Sequence, residues 1–226
     1  MTAAATRKVS YFVTGTDTGV GKTLVSAALL HTLAREHRRV VGMKPVAAGG
    51  VLVDGVFVNE DALALRAASS CRVPAELDNP VCLREPVSPH LAARLDGVQI
   101  DIAHIVSCHQ QLLALSDAVV VEGAGGFLVP LSDSLTGADL AVALGLPVLL
   151  VVGLRLGCLN HALLTAGAIA ERGLTLAGWV ANHIDPAMLA QAENIAFLRL
   201  RLAAPLLGVV PFQDIPDAQT VLLSLP

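Results

Sequence analysis

The sequence predicts an α/β fold, a mainly parallel sheet with helices on both faces, and three observations predict it. Strand-length and helix-length stretches alternate along the 226 residues. The strand-length runs are apolar from end to end rather than alternating with polar residues, as expected of strands covered on both faces. The first run also stops at a glycine-rich turn that leads into an apolar-periodic helix.

Val9–Thr14 is β-rich and ends at Gly15, and Thr23–His37 has the helical period. Val40–Lys44 is a second strand, closed by Pro45, which cannot donate to a ladder. Asn59–Ser70 reads as a helix with a polar start. Ser88 is placed as an N-cap with Pro89 at the first helical position, and Asp101–Leu115 is a further helix. Ala118–Val121, Pro147–Val152, Thr175–Val180 and Leu206–Val210 are the remaining strands. Helices Ala138–Leu144, Leu159–Arg172 and Pro186–Leu202 lie between them, the last with Asp185 as N-cap and Pro186 in its first turn.

No linker-like tract or repeat interrupts residues 1–226, so one domain is expected. A composition 54% hydrophobic supports a generous core, and a net charge of −4 argues against a nucleic-acid binder. The longest apolar run, Leu140–Leu154, contains Gly145 and Pro147 and falls short of the ~18–20 residues of a spanning helix. The start, MTAAATRKVS, has no apolar signal-peptide core. Cys71, Cys82, Cys108 and Cys158 show no metal-site spacing and read as free thiols of a cytoplasmic protein that does not engage membranes.

The glycine-rich turn is Gly15-Thr-Asp-Thr-Gly-Val-Gly-Lys-Thr23. Its spacing is Gly-x5-Gly-Lys-Thr, one residue longer than the usual phosphate loop. Gly19 and Gly21 still allow backbone N–H groups to converge on an anion, and the next helix presents its positive end there. Lys22 reaches β- and γ-phosphates and Thr23 ligates Mg²⁺, with Val20 and Leu24 completing the cradle. The fold is therefore expected to be of the phosphate-loop NTPase type, with ligands beyond the carboxyl ends of the strands.

Of the three lysines, Lys8, Lys22 and Lys44, Lys44 ends a strand at that crevice, with small residues after it. Asp61 lies in the first turn of a helix, where an acid also favours the dipole. Glu122 follows an apolar strand and begins Glu122-Gly123-Ala124-Gly125-Gly126, a place for a metal or water partner. Thr23, Asp61 and Glu122 together make a hard oxygen site suited to Mg²⁺. Asn182, beside His183, ends a strand and can read a purine by donating and accepting together, adenine being preferred. His90 and His161 lie in motif-like segments, but none of the seven histidines forms a metal-ligand constellation.

GTDTGVGKT, KPVAAG, NEDALAL, EPVSPHLAA, VVVEGAGGFLVPLSD, LGCLNHALLT, LAGWVAN and APLLGVVPF stand in the order in which the dethiobiotin synthetase family carries them, and from about Ser10 to Pro216 the chain resembles that family. Its phosphate loop has the same extra residue. The resemblance implies an ATP-dependent ligase that takes 7,8-diaminononanoate, CO₂ and MgATP to the cyclic urea of dethiobiotin. A carbamate on one amine becomes a carbamic–phosphoric anhydride, and the second amine displaces phosphate.

By the same resemblance Lys22, Lys44 and Thr18 serve the reacting groups, and Thr23, Asp61 and Glu122 the Mg²⁺. Gly123, Ala124 and Gly125 border the phosphates. Asn182 and His183 lie at the base with Pro211, Phe212 and Gln213, and Asp217 lies on the ribose side. Backbone N–H groups of Gly157, Cys158, Leu159 and Asn160 take the substrate carboxylate across a homodimer interface. Asp17 is assigned to the substrate amine or to loop orientation. Ala48 departs from the Ser or Thr common in the family, the loss of a hydrogen bond worth roughly 0.5–1.5 kcal/mol.

Two alternatives fare worse. A division-site or partition switch of this fold group has a signature lysine where Asp17 stands, and a basic tail that is missing after Arg201. Amidases of the group append a glutamine-hydrolysing domain for which the chain has no room.

Overall fold

A computed structural model of the chain describes residues 8–226; the signal-peptide reading of the first residues falls mostly on 1–7, outside them. The elements run β1 (Val9–Gly15), α1 (Lys22–Leu33), β2 (Val40–Met43), β3 (Val46–Ala48), β4 (Val51–Val53), β5 (Val56–Val58), α2 (Glu60–Ala68), α3 (Ala75–Asp78) and β6 (Val81–Leu83). They continue with α4 (Pro89–Asp96), α5 (Ile102–Leu115), β7 (Ala118–Glu122), α6 (Gly137–Leu144), β8 (Val148–Leu154), α7 (Cys158–Glu171), β9 (Leu176–His183), α8 (Gln191–Arg201) and β10 (Leu206–Val210), before a 3₁₀ turn at Ala218–Thr220.

Six strands pair in the order β10-β9-β8-β1-β7-β2, and every pairing in that sheet is parallel. The continuous apolar runs are explained by cores on both faces. Val119 and Val121 pack with Phe12, Met43, Ile105 and Leu112 on one side. Ala118 and Val120 pack with Leu29, Leu30 and Leu65 on the other. Beneath α7 and α8 a third cluster gathers Leu150, Val152, Trp179 and Leu198. The chain's last residues join the second cluster through Val221, Leu223 and Leu225.

Several expectations change. β7 runs through Glu122, because the glutamate still pairs with Val13 and Gly123 N–H donates to Val13 O. β9 extends to His183, so Asn182 lies within a strand, between Gly153 and Val210. α1 stops at Leu33, where Arg35 and Glu36 N–H groups tighten into i→i+3 turns. The helix expected from Pro186 begins only at Gln191: Asp185 accepts from Ala187 N–H and closes a turn, and Ala190 adopts a left-handed φ of 55°. Ser88 does occupy the N-cap position, but its hydroxyl bonds His90 Nδ1 at 3.0 Å instead of a helix N–H. Beyond Pro45 the chain builds two small unexpected sheets, β3 parallel to β6 and the β4–β5 hairpin.

One buried titratable group ties stability to pH. His109 of α5 lies 2.9 Å from Ser10 Oγ, whose hydroxyl donates to Val119 O, so the imidazole Nε2–H donates to the serine. Burial pushes its pKa down to about 4. The unfolded chain, near the ordinary 6.5, takes up the proton first as pH falls. Stability is therefore full above about pH 6.5 and declines towards pH 4, by on the order of 2 kcal/mol at pH 5. Urea midpoints at pH 8 and pH 5 should differ by less in His109→Gln than in the parent; equal differences would exclude His109 as the source.

Candidate active site

Six parallel strands place six carboxyl ends along one edge, and the predicted residues gather there. The phosphate loop is held on both sides: Thr16 N–H donates to Val151 O at 2.9 Å, and Val20 O accepts from Asn182 Nδ2 at 2.9 Å. Gly21 is the N-cap of α1 at φ 86°, with no side chain capping the helix. The first N–H groups of α1 are thus left to an anion. Lys22 Nζ donates to Asp17 O at 2.9 Å, within its own loop. Burial, and then the charge of Lys44, lower the Lys22 ammonium to about 8.

Beside the loop lies a closed group of charges. Lys44 Nζ is 2.6 Å from Glu122 Oε1 and 2.8 Å from Asp61 Oδ2. Thr23 Oγ1 sits 2.7 Å from Asp61 Oδ1 and 3.0 Å from Glu122 Oε1. The Lys44 side chain is 4% exposed and that of Glu122 0%. Burial works against the Lys44 ammonium, but Glu122 and Asp61 outweigh it and raise its pKa. Burial likewise pushes Asp61 up, yet Lys44 and the Thr23 hydroxyl hold its carboxyl below the usual range.

The position of each member follows from local structure. In the β2–β7 ladder Met43 faces Val121, which brings the next residues, Lys44 and Glu122, together. The Lys44 backbone is pinned by bonds to Asp78 O and from Asn79 Nδ2, both 2.7 Å. Asn59 caps α2 by accepting from Asp61 N–H and donates its amide to Ala48 O. Asp61 lies in the first turn of α2, where an acid favours the dipole, and also reaches Lys44 and Thr23.

The oxygens fit a hard divalent cation. Glu122 Oε2 is buried without a partner, and Thr23 Oγ1 joins the two carboxylates. Among the described residues no group of three or more His, Cys, Asp or Glu forms a cage. Two carboxylates and a hydroxyl, to be completed by phosphate and water, match the habit of Mg²⁺.

The glycine-rich segment after Glu122 crosses the phosphate loop. A Cβ on Gly125 would lie 3.5 Å from Thr18 Oγ1, and one on Gly126 within 4.0 Å of the Gly15 and Thr16 carbonyls. Gly19, Gly21, Leu24, Asn182, His183, Pro211, Phe212 and Gln213 line one cavity. Asp217 does not line it: its carboxylate caps the 3₁₀ turn through Gln219 N–H, while its own N–H donates to Gln213 Oε1. Gly157, at φ 95°, opens α7 with no side-chain cap, and Cys158 turns into the core.

Sequence reasoning missed Arg155. Its guanidinium pairs with the Asp17 carboxylate, whose other oxygen accepts from Thr18 N–H at 2.8 Å. The Asp17 carboxylate therefore orients its own loop. The signal was present: Arg155 is a cation just beyond a buried strand, the same feature that singled out Lys44. Asn59 was missed too, since a helix cap gives no sign that its amide also holds Ala48.

A family profile described as an AAA domain matches residues 9–220. A curated relative, the ATP-dependent dethiobiotin synthetase BioD of Aromatoleum aromaticum, is 56% identical over 216 residues, 96% of each chain. A ParA family ATPase from Chlorobium tepidum aligns with TM-score 0.56 at 14% identity, covering 92% of this chain and 86% of its own. The signal recognition particle receptor FtsY of Elizabethkingia anophelis, in complex with GDP, gives 0.55 at 16% identity, over 100% of this chain and 63% of the receptor. MinD of Pyrococcus horikoshii complexed with Mg-ADP gives 0.54 at 18%, over 91% and 81%. At such identities these structures show the fold, that of the phosphate-loop NTPases, and nothing finer.

The two loop glycines should differ in what they tolerate. An alanine at Gly19 (φ 73°) meets nothing within 4 Å, whereas its Cβ at Gly21 (φ 86°) would lie 2.1 Å from Asn182 Nδ2. Gly19→Ala should cost only backbone strain, about 1–2 kcal/mol. Gly21→Ala should cost clearly more and weaken ATP binding at least tenfold. Equal denaturation midpoints and equal ATP affinity for the two variants would contradict this geometry.

Proposed function

Because the chain belongs to the dethiobiotin synthetase family, and is thereby an ATP-dependent ligase of biotin synthesis, we propose that it performs the complete ring closure on 7,8-diaminononanoate. One substrate amine adds to CO₂ and loses a proton, giving a carbamate. A carbamate oxygen takes the γ-phosphoryl group of ATP, releasing ADP. The second amine then attacks the carbonyl carbon, and the C–O bond to phosphate breaks as the cyclic urea closes.

The observation that carries this reading is the convergence of Thr23, Lys44, Asp61 and Glu122 beside the phosphate loop. Carbamate and phosphoryl group are both anionic and approach only with cations between them. Lys22 and Lys44 supply fixed charge from the protein, in a site where positioning and electrostatics dominate. Thr23, Asp61 and Glu122 would hold Mg²⁺, which when bound neutralises phosphate oxygens. Thr18, next to Gly125, faces the reacting groups, with Gly123 and Ala124 along the phosphates.

The six-stranded sheet that forms this edge draws on strands from β1 to β10, and we read residues 1–226 as a single domain. Asn182 and His183 read the adenine, with Pro211, Phe212 and Gln213 as the walls of its cavity. The α7 start at Gly157, Cys158, Leu159 and Asn160 takes the substrate carboxylate, and Ala48 borders the diamine. A homodimer completes that carboxylate site. The neighbouring Leu156, 95% exposed, supports burial by a second copy. No helix among the described residues is long and apolar enough to cross a membrane. All four cysteines are free, which supports a cytoplasmic setting.

Purified protein should form dethiobiotin from the diamine, bicarbonate and MgATP; ATP hydrolysis indifferent to the diamine would end this reading. In Lys44→Ala turnover should fall by at least about 100-fold, the scale of losing one electrostatic stabiliser, and near-normal turnover would remove Lys44 from the mechanism. Light scattering at assay concentration should give twice the chain mass. A monomer that turns over at full rate would dismiss the shared carboxylate site.

A further inference from the structure

Lys44 stands where the metal is assigned. Its ammonium touches Glu122 Oε1 at 2.6 Å and Asp61 Oδ2 at 2.8 Å, and Thr23 Oγ1 closes on the same Oε1 at 3.0 Å. The oxygens meant for a divalent cation therefore already neutralise a monovalent one. Two cations cannot share so small a space, buried on the Glu122 side, without strong repulsion. The Lys44 N–H group also occupies an oxygen that a metal would need.

We propose that Lys44 is the resident counter-cation of the metal site in the nucleotide-free protein, and that it vacates Glu122 and Asp61 when the metal enters. The proposal rests on the metal assignment of Thr23, Asp61 and Glu122 and adds to it a competition for the same oxygens. Its logic is electrostatic: a fully buried Glu122 without a cation would be an uncompensated charge, which strongly destabilises a fold. Lys44 removes that cost while the site waits.

The exchange needs only a side chain to move. The lysine backbone is fixed on both sides, by Asp78 O and Asn79 Nδ2. Its Nζ already has Gly123 O at 3.4 Å as an alternative acceptor, at the start of the segment that crosses the phosphate loop. A displaced ammonium thus moves towards the phosphate side, where ATP and carbamate supply new anionic partners. Metal entry and delivery of Lys44 to the substrates become one step. The free protein should accordingly bind a divalent ion weakly, and nucleotide phosphates should strengthen that binding.

Mn²⁺, a paramagnetic stand-in for Mg²⁺, can be titrated into nucleotide-free protein with electron paramagnetic resonance counting the free ion. Lys44→Met should bind Mn²⁺ at least tenfold more tightly than the parent, whereas Lys44→Arg, which keeps the charge, should gain nothing. Equal or weaker binding by folded Lys44→Met overturns the competition. The double variant Lys44→Met/Glu122→Gln should lose the tight site; if it keeps it, the metal assignment itself is wrong and the proposal falls with it.

A measurement on the parent protein reads the exchange without Lys44→Met. With three lysines in the chain, ¹⁵N-lysine labelling gives a simple ammonium spectrum, assigned by the signal missing in Lys44→Arg. The slowly exchanging Lys44 ammonium, visible while held between the carboxylates, should disappear on adding Mg²⁺ alone. Its persistence unchanged at saturating Mg²⁺ would overturn the proposal.

Discussion

A carboxylate with no exposed surface is costly to bury unless a cation touches it, and that requirement organises the working edge of this protein. Glu122 ends the strand between β1 and β2, so its neutralising partner has to come from an adjacent strand end. The parallel register supplies Lys44 one residue beyond Met43, opposite the residue after Val121. Asp61 then balances the lysine from the first turn of α2, and Thr23 links both carboxylates to the phosphate loop. β2, β7, α2 and α1 are thereby held in one arrangement by four side chains. Hydrophobic packing fixes the layers, but the ion group fixes how their ends meet.

The same edge carries two helix starts without a side-chain cap. α1 and α7 each begin at a left-handed glycine, Gly21 and Gly157, with no side chain bonded to the first N–H groups. α3, α4 and α8 also lack a side-chain cap, whereas Asn59 and Asp101 accept from the first N–H groups of α2 and α5. What sets α1 and α7 apart is thus the glycine at the cap position. There the glycine takes the left-handed backbone without a steric penalty.

Much of this was legible in the sequence because the signals were local. Apolar runs marked the strands, and Gly19, Gly21, Lys22 and Thr23 marked the loop whose geometry they produce. Lys44 and Glu122 were legible because a charge at the end of a buried strand is costly unless an opposite charge or a ligand meets it. The β4–β5 hairpin was missed although Asp54-Gly55, at φ 50° and 81°, is a strong two-residue turn signal. Three-residue strands on either side are simply too short for a periodicity reading. The segment from Pro186 was misread because Asp-Pro fits both a cap and an isolated turn, and no local pattern separates the two. Arg155 escaped because its partner is 138 positions away, a pairing that no local pattern reveals.

The tether between Val20 and Asn182 has a consequence for how the protein comes into being. The two residues are 162 positions apart, and β8, which holds the other side of the loop, is also made late. A growing chain on the ribosome exposes its glycine loop early, but the strands that shape it emerge only near the end of synthesis. The cradle is therefore among the last features to be completed. A truncated or stalled product would display the loop sequence without the ability to grip a nucleotide.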